Sequence, residues 1–323
     1  MKQPENKYLL IERSDEVYTT YECIPSYLHS QLIPYAKCYT DIDDNGIIID
    51  QQMQLEDISI YYHLIHLREG VELTTVPPSK YLLPATVSGF IDNNAPVSMK
   101  ILLPKKVANP LDDSSIVTEK EFVMNFHVNI SIARLTALRT EFPIFNIINK
   151  VGVKEVLNPS NRLPFRLNMV SYLVMNRILQ CKLIDKAAEL FFRRSAIDFY
   201  STYLHYLNPI PPIMLQENHR QQLREIADYI IAHPAEAGSV ENLCNKFGVV
   251  PEFLERPFEQ EFHISAAALI LQENMALAFK LITETSHSLT YISTITQHDG
   301  WEELTEEFER YYKCNIADLR KAQ

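Results

Sequence analysis

The sequence predicts an α+β protein with a β-sandwich or barrel module and flanking helices first, then an all-α domain of two helix-turn-helix units. Three observations carry this. Apolar residues alternate with polar ones up to about Leu135, the pattern then lengthens to steps of three and four, and a helix, turn, helix arrangement occurs twice after Ser239.

The strand-like part runs from about Val17 to Leu135. Phe122, Met124, Phe126, Val128, Ile130 and Ile132 alternate with Val123, Asn125, His127, Asn129 and Ser131, which turns one apolar face inward. Ile58, Ile60, Tyr62 and Leu64 repeat the pattern, as do Val97, Met99, Ile101 and Leu103. Asp44-Asn45-Gly46 reads as a tight turn because Asn and Gly tolerate positive φ. Pro77-Pro78 and Asn93-Asn94 punctuate further strands. His63 and His66 form an H-x-x-H pair, but on a strand residues three apart point to opposite faces and do not chelate one ion. No metal site and no cofactor are therefore predicted.

Helical periodicity follows over Leu135 to Lys150 and Pro164 to Leu183, the second striped by Leu167, Val170, Val174, Ile178 and Cys181. Asp185 to Leu207 places Leu190, Ile197 and Leu204 seven apart. That spacing fits a homodimer seam formed by the helices of residues 164–207, and equally a helix packed on its own core. Asn208-Pro209-Ile210-Pro211-Pro212 cannot continue a helix, since its prolines remove donors and restrict their neighbours. The predicted organisation is a sensor and dimerisation module over 1–207, β-rich at 17–135 and helical at 135–207. A proline-rich linker at 208–218 and the tandem helix-turn-helix domain at 219–323 follow.

In that last domain Arg220 to His233 carries Leu223, Ile226, Ala227 and Ile230 on one face, and Ser239 caps a helix ending at Phe247. Gly248-Val249 turns into a second helix near Pro251. A long helix from about Ser265 is striped by Leu271, Met275, Ala278, Leu281 and Ile282; Leu289 to Thr296 and Trp301 to Tyr312 then repeat the first arrangement. Two such units on a connecting helix can address successive turns of one DNA face.

This stretch resembles the AraC/XylS family of bacterial transcription regulators without a gap from Ser239 to Arg320. Ser239-Val240-Glu241-Asn242-Leu243-Cys244 is similar to the opening of the family domain, and Leu254, Phe258, Ile264 and Ser265 to its first recognition unit. Met275, Ala278, Leu281 and Ile282 resemble its linker helix, Leu289, Ile292 and Ser293 its second unit, and Leu304, Phe308, Leu319 and Arg320 its ending. The resemblance implies a cupin-like N-terminal module holding a small-molecule effector site, and a DNA partner. Departures are specific. His263, Gln297 and Lys313 stand where the family has Gly, Asn274 where it has Arg, His298 where it has Phe, and Ile316 where it has Pro. Positive φ costs a non-Gly residue about 1–2 kcal/mol, so the first three predict strain or altered turns. Pro257 predicts a helix kinked at a cost of about 3 kcal/mol, or one that breaks and restarts.

The family's base-reading positions fall on Glu252, Glu255 and Arg256 in the first unit, and on Glu302, Glu303 and Glu306 in the second. One Glu can accept from cytosine N4, but five carboxylates face a polyanion that repels them. The chain carries a formal net charge of −11, and residues 219–323 hold nine Lys and Arg against seventeen Asp and Glu, a net −8. Phosphate neutralisation supplies most of the binding of such domains.

Two readings follow. One is an AraC-like regulator that binds DNA through two helix-turn-helix units; the other is an interaction protein that keeps the fold and engages a protein partner through an acidic surface. An enzyme is not predicted, since no G-x-S-x-G, phosphate-cradling glycine loop, H-E-x-x-H or Cys/His cluster is present. Five scattered cysteines without a C-x-x-C pair suit a reducing, cytoplasmic setting. The longest apolar run, Ile264 to Leu271, falls short of a membrane span.

Overall fold

A computed structural model describes residues 10–11, 19–43, 46–67, 75–76, 82–90, 123–147, 167–207 and 212–321. The chain divides into two compact units, Met1–Lys182 and Leu183–Gln323.

The first unit is built on antiparallel strands: β1 (Leu10–Ile11), β2 (Thr19–Tyr21), β3 (Lys37–Asp43), β4 (Gly46–Leu55), β5 (Ile58–Leu67), β6 (Thr75–Val76), β7 (Leu82–Phe90) and β8 (Val123–Ser131). Six of them form one sheet in the order β2-β3-β4-β5-β8-β7, while β1 pairs with β6. Among the described residues this is a single open sheet with β2 and β7 at its edges, where the sequence predicts a sandwich or barrel. The expected strand over 97–103, the Pro77-Pro78 and Asn93-Asn94 turns and the Asp44-Asn45 turn lie outside the described residues. β3 and β4 pair from Asp43 opposite Gly46 onward, which is hairpin register.

The strand period separates two faces. Ile49, Met53, Ile60, Tyr62, Leu64, Met124, Phe126 and Val128 line one, all buried. The other carries Asp50, Gln52, Ser59, His63, Asn125, His127 and Asn129, and these are buried too. Alternation predicts a wet polar face; here the polar face is dry, so its groups must satisfy one another. On the apolar side Gln51 anchors the preceding turn of 3₁₀ helix, Ser26–Gln31. Ile33 N donates to Gln51 Oε1 at 2.8 Å and Gln51 Nε2 donates to the Gln31 carbonyl at 2.8 Å.

Helix α1 (Ile132–Leu138) starts at Ser131, whose hydroxyl accepts from Arg134 N at 3.1 Å. The helix expected to reach Lys150 ends at Leu138, and a 3₁₀ turn, Pro143–Asn146, follows, because Pro143 cannot donate within a helix. Helix α2 (Met169–Leu179) opens on a capping box between Asn168 and Ser171 and buries Val170, Val174, Met175 and Ile178.

The second unit is helical: α3 (Asp185–Leu207), α4 (Glu217–Ala232), α5 (Pro234–Ala237), α6 (Val240–Phe247), α7 (Pro251–Leu254), α8 (Arg256–Phe262), α9 (Ala266–Glu284), α10 (Leu289–Ile295), α11 (Trp301–Tyr312) and α12 (Ile316–Lys321). The prediction put α3 with the β-module, ending that domain at 207. The chain instead divides after Lys182, and α3 packs on the helix-turn-helix core. Leu190 joins Met275, Ala278, Phe279, Ile282, Ile292, Leu304 and Phe308 in one buried cluster, with Phe191 beside it. Arg194 lies 3.4 Å over the Tyr311 ring and donates to Asp198 at 2.6 Å, while the Tyr311 hydroxyl donates to the same carboxylate at 2.9 Å. The heptad residues Leu190, Ile197 and Leu204 are all buried within the single chain, which removes them from a seam with a second copy.

Helix α9 connects the two units of helix-turn-helix. It is long and apolar enough to cross a membrane, but half of it is buried inside the protein. Its apolar stripe of Leu269, Met275, Ala278 and Ile282 serves the core.

Candidate nucleic-acid interface

The first helix-turn-helix unit is α6, a turn, and a recognition segment in two pieces. Ser239 caps α6, accepting from Asn242 N at 3.2 Å, and Gly248 ends it in the left-handed conformation at φ 63°. Val249 N then donates back to the Cys244 carbonyl at 3.1 Å, closing the turn. Helix α7 starts with Pro251 in its first turn and stops after Leu254. Glu255 takes φ −87° and ψ −108°, outside the helical region, and α8 restarts at Arg256 with Pro257 in its first turn. Of the two outcomes open for Pro257, the chain adopts the break and restart. A first-turn proline has no amide partner to lose there, so the kink penalty is avoided. Leu254 and Phe258 still reach the core, at 2% and 0% exposure.

The second unit is continuous. Ser288 caps α10 by accepting from Tyr291 N at 3.1 Å, and Gly300 leads into the twelve-residue α11. His298, in the position where the resembled family has Phe, is not an unpaired polar replacement. Its Nδ1 lies 2.8 Å from Thr296 Oγ1 and its Nε2 donates to Glu307 Oε2 at 3.0 Å, tying the turn to the recognition helix. That hydrogen bond from His298 holds the Glu307 carboxyl below its ordinary range, against the upward push of burial.

All three of the eroded glycine positions keep the glycine backbone. His263, Gln297 and Lys313 have φ of 58°, 57° and 56°, with His263 and Lys313 serving as left-handed caps of α8 and α11. Each holds the left-handed conformation that favours glycine, at a cost of about 1–2 kcal/mol.

The six predicted contact residues, Glu252, Glu255, Arg256, Glu302, Glu303 and Glu306, are all exposed. Glu302 and Glu306 are four apart on α11 and share a stripe, whereas Glu255 and Arg256 straddle the break between α7 and α8. Glu303 has a structural partner: its carboxylate accepts from Asp299 N at 2.6 Å, closing the start of α11. Two aromatic residues that the charge pattern does not single out are also exposed, Tyr291 on α10 at 49% and Trp301, next to Glu302 at the start of α11, at 45%.

Arg256 also borders a cleft of about 190 Å³ with His205, Tyr206, Ile213, Glu259, Gln260 and His263. Gln260 clamps the backbone of Ile213 from both sides, accepting from its N at 2.5 Å and donating to its carbonyl at 2.9 Å. His205 Nδ1 stands 2.9 Å from Glu259 Oε1. Burial, and the neighbouring His205, push the His263 imidazole down to about 4. Tertiary contact assembles this cleft across more than fifty residues of chain, so no local spacing announces it.

No family profile matches the chain, and no curated protein matches it. Solved structures do match. The C-terminal domain of the response regulator AraT from Geobacillus stearothermophilus is 19% identical over 34% of this chain and 89% of its own, with a TM-score of 0.29. The DNA-binding domain of AdpA, solved with a target DNA, is 18% identical over 31% of this chain and 91% of its own, with a TM-score of 0.29. ToxT from Vibrio cholerae is 11% identical over 86% of this chain and 98% of its own, with a TM-score of 0.27. A further match, a transcriptional regulator from Chromobacterium violaceum described as having an AraC-type DNA-binding domain, is 19% identical over 33% of this chain and 95% of its own, with a TM-score of 0.29.

Proposed function

We propose that this chain is an AraC-like transcription regulator of the cytoplasm that binds DNA through the two helix-turn-helix units of its second unit, with the β-sheet unit in a regulatory role. One observation carries the reading. Every position that a double helix-turn-helix presents to DNA is exposed, on segments whose other faces are buried and whose turns keep left-handed geometry at energetic cost.

A second reading is favoured by a different observation. Five of the six presented side chains are carboxylates, and Trp301, which precedes Glu302, and Tyr291 on α10 are exposed, a composition suited to a basic protein partner. Binding of the purified protein to random-sequence duplex DNA as a function of salt separates the two. Retention at low salt, with log affinity falling linearly against log salt, supports the regulator. Absence of retention even at low salt supports the interaction protein.

A further inference from the structure

The polar face of the sheet is dry, and at its centre two imidazoles point at each other. His63 Nε2 and His127 Nε2 are 2.8 Å apart while their ring centroids are 5.0 Å apart, so the rings meet edge to edge. The outer nitrogen of each is held. Asp50 Oδ1 lies 2.5 Å from His63 Nδ1, and the Asn129 amide lies 3.4 Å from His127 Nδ1. All four side chains are buried, and Tyr61 stacks on the His127 ring at 4.9 Å.

Proton bookkeeping in this array is constrained. A carboxylate only accepts, so Asp50 fixes the proton of neutral His63 on Nδ1 and leaves a lone pair on Nε2. His127 must then donate through Nε2, which makes its Nδ1 an acceptor from the Asn129 NH₂. Two buried amide oxygens stay without a donor in this arrangement, Asn129 Oδ1 and Asn125 Oδ1. Asn125 stands directly opposite His63 in the register of β5 and β8, two residues before His127, on the same face.

We infer that this face holds a divalent first-row transition ion, bound by His63 Nε2, His127 Nε2 and Asn125 Oδ1, with Asp50 and Asn129 orienting the two imidazoles. Moving the shared proton aside for an ion gives both orphaned oxygens a partner. His127 shifts its proton to Nδ1, the Asn129 amide turns over so that its oxygen accepts that proton, and Asn125 Oδ1 becomes a ligand. Both imidazoles stay neutral, with one proton each on Nδ1, so the ligands release no proton when the ion binds. A carboxylate on the far nitrogen of a metal-binding histidine is the usual outer-shell device, and paired imidazoles suit zinc, nickel or copper. No group of three His, Cys, Asp or Glu converges among the described residues, so the ligand set is two imidazoles and one amide oxygen. Two nitrogens sharing a tetrahedral ion at about 2.0–2.1 Å sit roughly 3.4 Å apart, so the rings must part by about half an ångström.

The site lies outside the H-x-x-H pattern in the sequence. His66 belongs to the opposite face of β5, and the partner of His63 comes from β8.

The test uses the full-length chain without a polyhistidine tag, stripped with a chelator, dialysed and shown folded by circular dichroism. Titration with Zn²⁺ near pH 7 is expected to give one bound ion per chain with no proton released by the two neutral imidazoles, and Co²⁺ is expected to give visible d–d absorption bands. Asp50→Asn should weaken binding about 10–100-fold, the pair His63→Gln and His127→Gln should abolish it, and His66→Gln should leave it unchanged. Folded wild-type protein that takes up no ion overturns the inference without recourse to any variant. An ion retained by the double histidine variant overturns it as well.

Discussion

At the residue scale the protein spends stability on backbone shape. His263, Gln297 and Lys313 sit at φ near 57° where glycine is free of strain. These positions are legible in the sequence, because a helix end needs a left-handed residue whatever its identity. The choice between strain and a remodelled turn is not legible, since it depends on what the surrounding packing enforces. Lys313→Gly is expected to stabilise the second unit by about 1 kcal/mol, the strain relieved less the extra chain entropy of glycine. A rise in the thermal midpoint of about 2–4 °C is the readout; a fall would mean that the lysine side chain contributes more than its backbone costs. His263 combines strain with a pH effect. Burial beside His205 holds its imidazole down to about 4, against an ordinary 6.5. Protonation therefore favours the unfolded chain, and stability present above about pH 6.5 is lost as pH falls toward 4. Other titrating and charged groups around it are His205, Glu259 and Arg256. His263→Asn keeps a residue that tolerates the left-handed region and removes the titration. Its stability, measured by urea unfolding between pH 7 and 4, should decline less steeply than that of the wild type.

Elements show where local pattern stops being informative. The two recognition segments read alike in sequence, each an apolar triplet of positions behind a turn, yet one is a continuous twelve-residue helix and the other is two helices of four and seven. Pro257 signals the difference, but whether a proline kinks a helix or resets it depends on the backbone just before it, and here Glu255, two residues ahead, leaves the helical region and caps a new helix. The consequence concerns DNA. On α11 Glu302 and Glu306 form one stripe on a rigid axis, while Glu252 and Glu255 belong to a short helix and its end. Replacing Glu302 with Gln and Glu306 with Arg should raise non-specific duplex affinity severalfold at low salt. Glu252→Gln with Glu255→Gln should raise it less, both because less charge changes and because the segment is broken. Equal and negligible effects, measured by fluorescence anisotropy at fixed salt, would mean that neither face meets DNA.

For the whole molecule the revealing discrepancy is the boundary. The proline-rich stretch after Leu207 looks like a linker by composition, and the heptad of Leu190, Ile197 and Leu204 looks equally like a seam or a packed helix. Neither local feature records that Arg194 and Asp198 close on Tyr311, over a hundred residues away, or that Leu190 completes the cluster under α9 and α11. Removing α3 uncovers that cluster and leaves Tyr311 without the carboxylate that accepts from it. The His205 and Glu259 pair beside α8 is lost as well. Two fragments therefore separate the compositional boundary from the packed one. A chain of 183–323 is expected to unfold cooperatively, with a midpoint several degrees above that of 212–323. The shorter fragment should expose apolar surface to a hydrophobic dye. If 212–323 unfolds at the same temperature and with the same denaturant dependence as 183–323, α3 is dispensable to the fold. Should the difference hold, α3 is part of the body proposed to bind DNA, and any signal reaching α3 acts on α11 and α8 through Tyr311 and Glu259.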